Sequence, residues 1–288
     1  MNVFLAEFIG TSILIFIGCG VLAGDSLNKS GTFRVGKVGI NMAWGFGVTM
    51  AVYTVGDISG AHLNPAFTIA KALNESIKWS LVPGYILSQI LGAMFGSLLV
   101  YLQFLPHWEK TKEPEIKLNV FVTAPAIKNG FTNFISEYLI TCILIFALLV
   151  LDRNSFVDGL KPIVVGGLIF TLGVSFGGVT GAALNPARDL GPRLAHYLLP
   201  IPGKRGSNFK YGWIPVVAPI LGGATGAMVN LALYDGIVDF RILLVVSISA
   251  IILFTLKMKD KNTLDELKES ISDTSNFNII EYSNRIKK

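Results

Sequence analysis

A chain of 288 residues that is 52% hydrophobic and 15% charged, with a net charge of +5, departs from the roughly one-quarter charged composition of soluble domains. Mean hydropathy is +0.59. These values argue against a water-soluble globular fold, and basic residues scattered over loops and tail give no sign of nucleic-acid binding. Cys19 and Cys142 both lie in apolar runs and read as small core residues, so no disulfide, metal site or cofactor is implied.

The first apolar run, 3–23, has no basic flank and is followed by many more, so it reads as a span and not as a cleaved signal. Further spans are predicted at 38–56, 82–105, 131–151, 162–180 and 213–234, each suited to a hydrocarbon core of about 30 Å. Polar loops fill 24–37, 106–130, 152–161 and 199–212. Two apolar pieces, 64–75 and 185–198, reach only about 18–21 Å as helices and cannot cross.

The chain repeats itself. EFIGTSILIF from Glu7 matches EYLITCILIF from Glu137, and GAHLNPA around Asn64 matches GAALNPA around Asn185. Each copy holds three spans and one short segment, so the second copy enters from the opposite face and the repeats are inverted. The expected organisation is a first repeat at 1–108, a connecting loop at 109–130, a second repeat at 131–235, an extra hydrophobic segment at 236–258 and a polar tail at 259–288. The fold class is an all-α polytopic membrane protein with six spans and two re-entrant half-helices.

Asn is a favoured helix N-cap and Pro a favoured first helical residue, so Asn64-Pro65-Ala66 and Asn185-Pro186-Ala187 each start a half-helix. Both positive dipole ends then point at the bilayer midplane. Irregular backbone is tolerated at that depth where it lines a wet path, and Gly60, Ala61, Gly181, Ala182 and Ala183 supply it. A neutral polar solute trades water for the asparagine amides there, while a cation meets two positive helix ends.

These paired motifs, AHLNPA and ALNPARD, with AEF in the first span, resemble the major intrinsic proteins, or aquaporins, over about residues 3–235. Asp189 after the second motif, Arg193 four residues on and Pro215 resemble the glycerol-facilitator branch, with Val216 a mild departure from its usual Leu. The resemblance implies a selectivity filter at Trp44, Gly173, Ala182 and Arg188. Arg188 would hold two hydroxyls and repel cations. Trp44 would face the CH side of a polyol, and Gly173 would remove a side chain from the wall. Ala182 stands where facilitators carry a bulky aromatic, so the filter is expected to be wide. Width alone suggests dihydroxyacetone, neutral lactic acid, urea and erythritol beside glycerol and water. A homotetramer with one pore per subunit, in the plasma membrane, is also implied.

Glu7 and Glu137 are expected to support the re-entrant loops as hydrogen-bond acceptors, with a proton relay as the rival. His62, which Ala183 replaces in the second repeat, either lines the path or bonds the loop. An amino terminus inside, which the resemblance requires, leaves four Lys or Arg on the inner loops and ten on the outer, against the positive-inside rule. Residues 242–256 suit either a short seventh span or a peripheral helix, and Thr263 to Glu266 predict a short helix at 264–272 in an otherwise disordered tail. The function expected is a passive channel. A water-selective channel and a secondary active transporter are the alternatives, and neither metal spacing nor a nucleophile triad suggests an enzyme.

Overall fold

The computed structural model describes residues 2–260, and every regular element among them is helical. In chain order these are α1 (Val3–Ser26), α2 (Gly36–Ser59), α3 (Pro65–Leu73), α4 (Val82–Gln103), α5 (Leu105–Lys110), α6 (Pro114–Asn119), α7 (Gly130–Asp152), α8 (Leu160–Thr180), α9 (Pro186–Leu198), α10 (Phe209–Gly212), α11 (Ile214–Asn230) and α12 (Arg241–Asp260). Six helical stretches correspond to the predicted spans, α3 and α9 to the two short segments, and α12 is a seventh stretch long and apolar enough to cross a bilayer. The helix predicted at 264–272 lies outside the described residues.

Four of the repeated helices, α1, α7, α3 and α9, start with one device. Asn2 and Asn129 cap α1 and α7 through their side chains, accepting from Phe4 N at 3.0 Å and Thr132 N at 2.8 Å. Asn64 and Asn185 cap α3 and α9, accepting from Ala66 N and Ala187 N, both at 2.9 Å. An Asn cap contributes about 1 kcal/mol over alanine by satisfying an orphan amide.

Packing follows the repeat. Helix α1 lies against α2 and α4, α7 lies against α8 and α11, and α2 meets α8 between them. The half-helices cross over: α3 packs on α11 and α9 packs on α4. Close approach is set by glycines. A Cβ on Gly92 would lie 2.4 Å from Phe8 O, and one on Gly222 would lie 2.1 Å from Tyr138 O. At the centre, Gly45 and Gly166 face each other, with a Cβ on either one 2.5–2.6 Å from the other's carbonyl. Small residues of this kind let membrane helices associate without a hydrophobic drive. Gly222→Val is therefore expected to push α11 off α7 and destabilise the fold by about 1–3 kcal/mol. A lowered thermal midpoint in detergent, matched by Gly92→Val in the other repeat, would register it.

Helix α12 extends the apolar segment read from the sequence at both ends. Asp239 Oδ1 accepts from Arg241 N at 2.9 Å at its start, and Asp260 Oδ2 accepts from Phe131 N at 3.1 Å at its finish.

Candidate functional site

The two re-entrant loops have the same unusual backbone. Gly60, Ala61 and Leu63 are left-handed (φ 80°, 46° and 55°), as are Gly181, Ala182 and Leu184 (φ 89°, 50° and 59°). Each non-glycine residue in that region costs about 1–2 kcal/mol. Buried carboxylates hold the loops in place. Glu7 accepts from His62 N at 2.8 Å, Leu63 N at 2.7 Å, Ser59 Oγ at 2.6 Å and Gln89 Nε2 at 2.8 Å. Glu137 accepts from Ala183 N at 3.0 Å, Leu184 N at 3.2 Å and Thr180 Oγ1 at 2.5 Å. Each such hydrogen bond contributes about 0.5–1.5 kcal/mol, and several converge on each strained loop. Both carboxylates are fully buried and stand behind the loops, outside the cavity lining.

The loops also lock to each other. Asn64 Nδ2 donates to Leu184 O at 2.9 Å, and Asn185 Nδ2 donates to Leu63 O at 2.7 Å. The half-helix starts thus meet at the junction of the repeats. Asn64 and Asn185 border the cavity, whereas Pro65, Ala66, Pro186 and Ala187 are buried behind it. His62 borders the cavity and also bonds the half-helix, with Nδ1 3.2 Å from Thr68 Oγ1.

A cavity of about 1090 Å³ runs through the bundle past these residues. Lys37, Asn119 and Thr123 border one end, and Lys71, Asp152 and Lys161 the other. At the second end Asp152 joins Lys71 at 3.1 Å and Lys161 at 2.7 Å, tying α3 to α7 and α8. Trp44, Gly173, Ala182 and Arg188 all border this cavity. The Arg188 guanidinium lies over the Trp44 ring, 4.2 Å from its centroid, and Nη1 donates to Phe121 O at 3.1 Å.

Gly173 does not leave an open wall. A Cβ there would lie 2.2 Å from Asn41 Oδ1, so the Asn41 side chain occupies that space and borders the cavity in its place. Its Nδ2 is turned back to Lys37 O at 2.9 Å. Asn41 was missed in the sequence reading. The available signal was its position three residues before Trp44, on the same face of α2.

Arg188 depends on the outer loop for its acceptor. Phe121 is fully buried, with Trp108 stacked 5.6 Å from its ring and His196 5.8 Å away. Asp189 fastens this loop to α9, accepting from Thr123 N at 2.8 Å and Thr123 Oγ1 at 2.6 Å. It also pairs with Arg193 at 2.7 Å, both side chains fully buried. Arg193 in turn donates to Ser207 O at 2.8 Å and Thr123 O at 3.3 Å, joining three loop strands. Two of the lysines that the expected orientation puts outside, against the positive-inside pattern, have structural jobs. Lys117 donates to Pro202 O, and Lys204 caps α9 through His196 O at 2.7 Å, Tyr197 O at 2.6 Å and Leu199 O at 2.6 Å. Burial lowers the pKa of both amines. Among the described residues no group of three or more His, Cys, Asp or Glu could hold a metal ion.

A profile of the major intrinsic proteins matches residues 1–230. The chain belongs to this family. It is 48% identical over 262 residues to the glycerol uptake facilitator protein of Bacillus subtilis, covering 91% of this chain and 96% of that protein. It is 52% identical over 227 residues to a probable glycerol uptake facilitator of Thermotoga maritima, covering 79% and 97%. Among solved structures, the aquaglyceroporin from Plasmodium falciparum superposes with a TM-score of 0.69 at 29% identity, over 84% of this chain and 97% of that one. Family membership and the apolar helices make the chain an integral membrane protein and a channel, not an enzyme.

Proposed function

We propose that the protein is a passive channel of the cell membrane for glycerol and other small uncharged polar solutes, with some water flux and with ions and protons excluded. The observation that carries this reading is the cavity running through the bundle past the paired asparagines and the Arg188–Trp44 pair. Its similarity to facilitators named for glycerol supports the solute class. Residues 1–108 and 131–235 act as the two repeats, and the family resemblance supports a homotetramer with one pore in each subunit.

At the filter, Arg188 donates to two polyol hydroxyls while Trp44 packs on the CH face. Asn41 faces them with an amide oxygen, so a hydroxyl finds a donor and an acceptor in one ring. The asparagine amides at the midplane replace water a second time. The fixed charge of Arg188 and two half-helix dipoles, each equivalent to about half a positive charge, oppose cations. With Ala182 in place of an aromatic, the filter also accepts dihydroxyacetone, neutral lactic acid, urea and erythritol.

Stopped-flow light scattering on proteoliposomes tests this, with the solute panel and water run separately. Glycerol flux well above that of empty liposomes, unaffected by a proton gradient, is expected. Water flux alone would replace the reading with a water-selective channel, and collapse with the gradient would replace it with a coupled transporter. Arg188→Val should lower glycerol flux about tenfold or more, because a charge-assisted hydrogen bond contributes about 1.5–3 kcal/mol and each 1.4 kcal/mol is a factor of ten. Water flux should fall much less, since water needs no two-point grip.

A further inference from the structure

We infer that α12 is a seventh membrane-spanning helix whose outer face is a lipid surface, so that Asn2 and Asp260 lie on opposite faces of the membrane. Three independent observations carry this, none of which depends on the solute.

The first is how α12 docks. Near its start, Ile242 and Val245 pack on a buried cluster from α3, α7, α8 and α11 that includes Leu73, Leu149 and Met228. Toward its finish, Ile252, Leu253 and Leu256 pack on Phe134, Ile214 and Ala218, at the starts of α7 and α11. Beyond them Lys257 Nζ lies 5.9 Å from the centroid of the Phe131 ring, and Asp260 accepts from Phe131 N at 3.1 Å. With its finish at the starts of α7 and α11 and its start on a separate cluster that holds their later residues, α12 runs antiparallel to both. The contact residues 242, 245, 249, 252 and 256 follow the three-four spacing of a coiled-coil seam, which keeps two long helices in register. A helix lying flat on the membrane surface cannot make contacts at both ends of two spanning helices.

The second is the opposite face. Leu243, Leu244, Ile251 and Phe254 are 62–70% exposed, with Val246 and Met258 beside them. An interfacial helix presents a charged face to water. Here the face turned away from the bundle is apolar over most of its length, which suits hydrocarbon.

The third is length and charge placement. Twenty residues make about 30 Å, the thickness of the hydrocarbon core. The charged residues sit at its ends, Arg241 at one and Lys257, Lys259 and Asp260 at the other, with none between. The aspartate also places a negative charge at the positive end of α7, a favourable arrangement at the membrane boundary.

Protease accessibility of the untagged protein in sealed vesicles of both orientations, read by mass spectrometry, tests the inference. Exposed Lys112, between α5 and α6, marks one face, and Lys78, between α3 and α4, marks the other. The expected result is that cleavage after residue 260 occurs in the preparation that cuts at Lys112 and is absent from the one that cuts at Lys78. Cleavage after residue 260 together with Lys78 would place both ends on one face and overturn the seventh span. As a second measurement, epitope tags placed before Asn2 and after Lys288 in separate chains should stain from opposite sides. Staining from the same side would overturn the inference equally.

Discussion

Replacing Asp189 with alanine should cost the fold about 3–5 kcal/mol and weaken the filter at the same time. The magnitude comes from breaking a buried ion pair by removing one partner, which strands the other charge away from water. Arg193 is that stranded charge, with no exposed surface to turn toward. The second effect travels through Thr123, whose amide and hydroxyl both lose their acceptor. Thr123 is two residues from Phe121, whose carbonyl holds the Arg188 guanidinium. A large fall in thermal midpoint and a fall in glycerol flux through the protein that still folds are therefore both expected. The double variant Asp189→Leu, Arg193→Met separates them. Removing both charges is often neutral for stability, so the midpoint should recover, while the Thr123 anchor stays lost and flux stays low. A double variant that recovers both would show that the carboxylate acts only as a partner for Arg193.

Substituting phenylalanine for Ala182 should change which solutes pass more than how stable the protein is. Ala182 borders the cavity beside Gly177, where an added Cβ would be 3.9 Å from the Ala182 Cβ, and a Cβ on Gly178 would meet nothing within 4 Å. A ring at 182 thus has space to enter at the expense of the passage. The backbone is already left-handed there, φ 50°, and already braced by the bonds from Ala183 and Leu184 to Glu137. Erythritol and dihydroxyacetone flux should fall by more than tenfold while glycerol flux persists, measured by stopped-flow on matched proteoliposomes. Equal flux of all three before and after the substitution would mean that Ala182 does not set the width.

Much of the architecture was legible because the chain states it twice. Glu7 and Glu137 and the two Asn-Pro-Ala triplets recur in order, and repetition separates them from chance. The half-helices were legible from short length and Asn-Pro starts alone. The four filter positions came from the family resemblance, and all four border the cavity. What was not legible depends on contacts distant in sequence. Residues 106–130 have no hydrophobic period, so the placement of the Phe121 carbonyl on Arg188 had no local signal. Asn41 has no distinctive motif, and only the packing of α2 on α8 brings its amide against Gly173. That contact changes how the glycine is understood: a neighbour's side chain stands where its own would be. Helix α12 was ambiguous because its finish is fixed by Asp260 reaching back to Phe131, 129 residues earlier.

The crossing of the half-helices has a consequence for the order of assembly. Helix α3 finds its seat on α11, and the Asn64 amide finds its acceptor in Leu184, both supplied by the second repeat. At a synthesis rate of about 5–20 residues per second, the first re-entrant loop waits on the order of 10–30 s for α11 to arrive. Before the second repeat arrives, its left-handed backbone is braced only from within the first repeat, chiefly by Glu7. The first four elements of the nascent chain are thus a provisional bundle until the second repeat enters. A ribosome stalled before α11 would leave the half-helix α3 in the membrane without its seat.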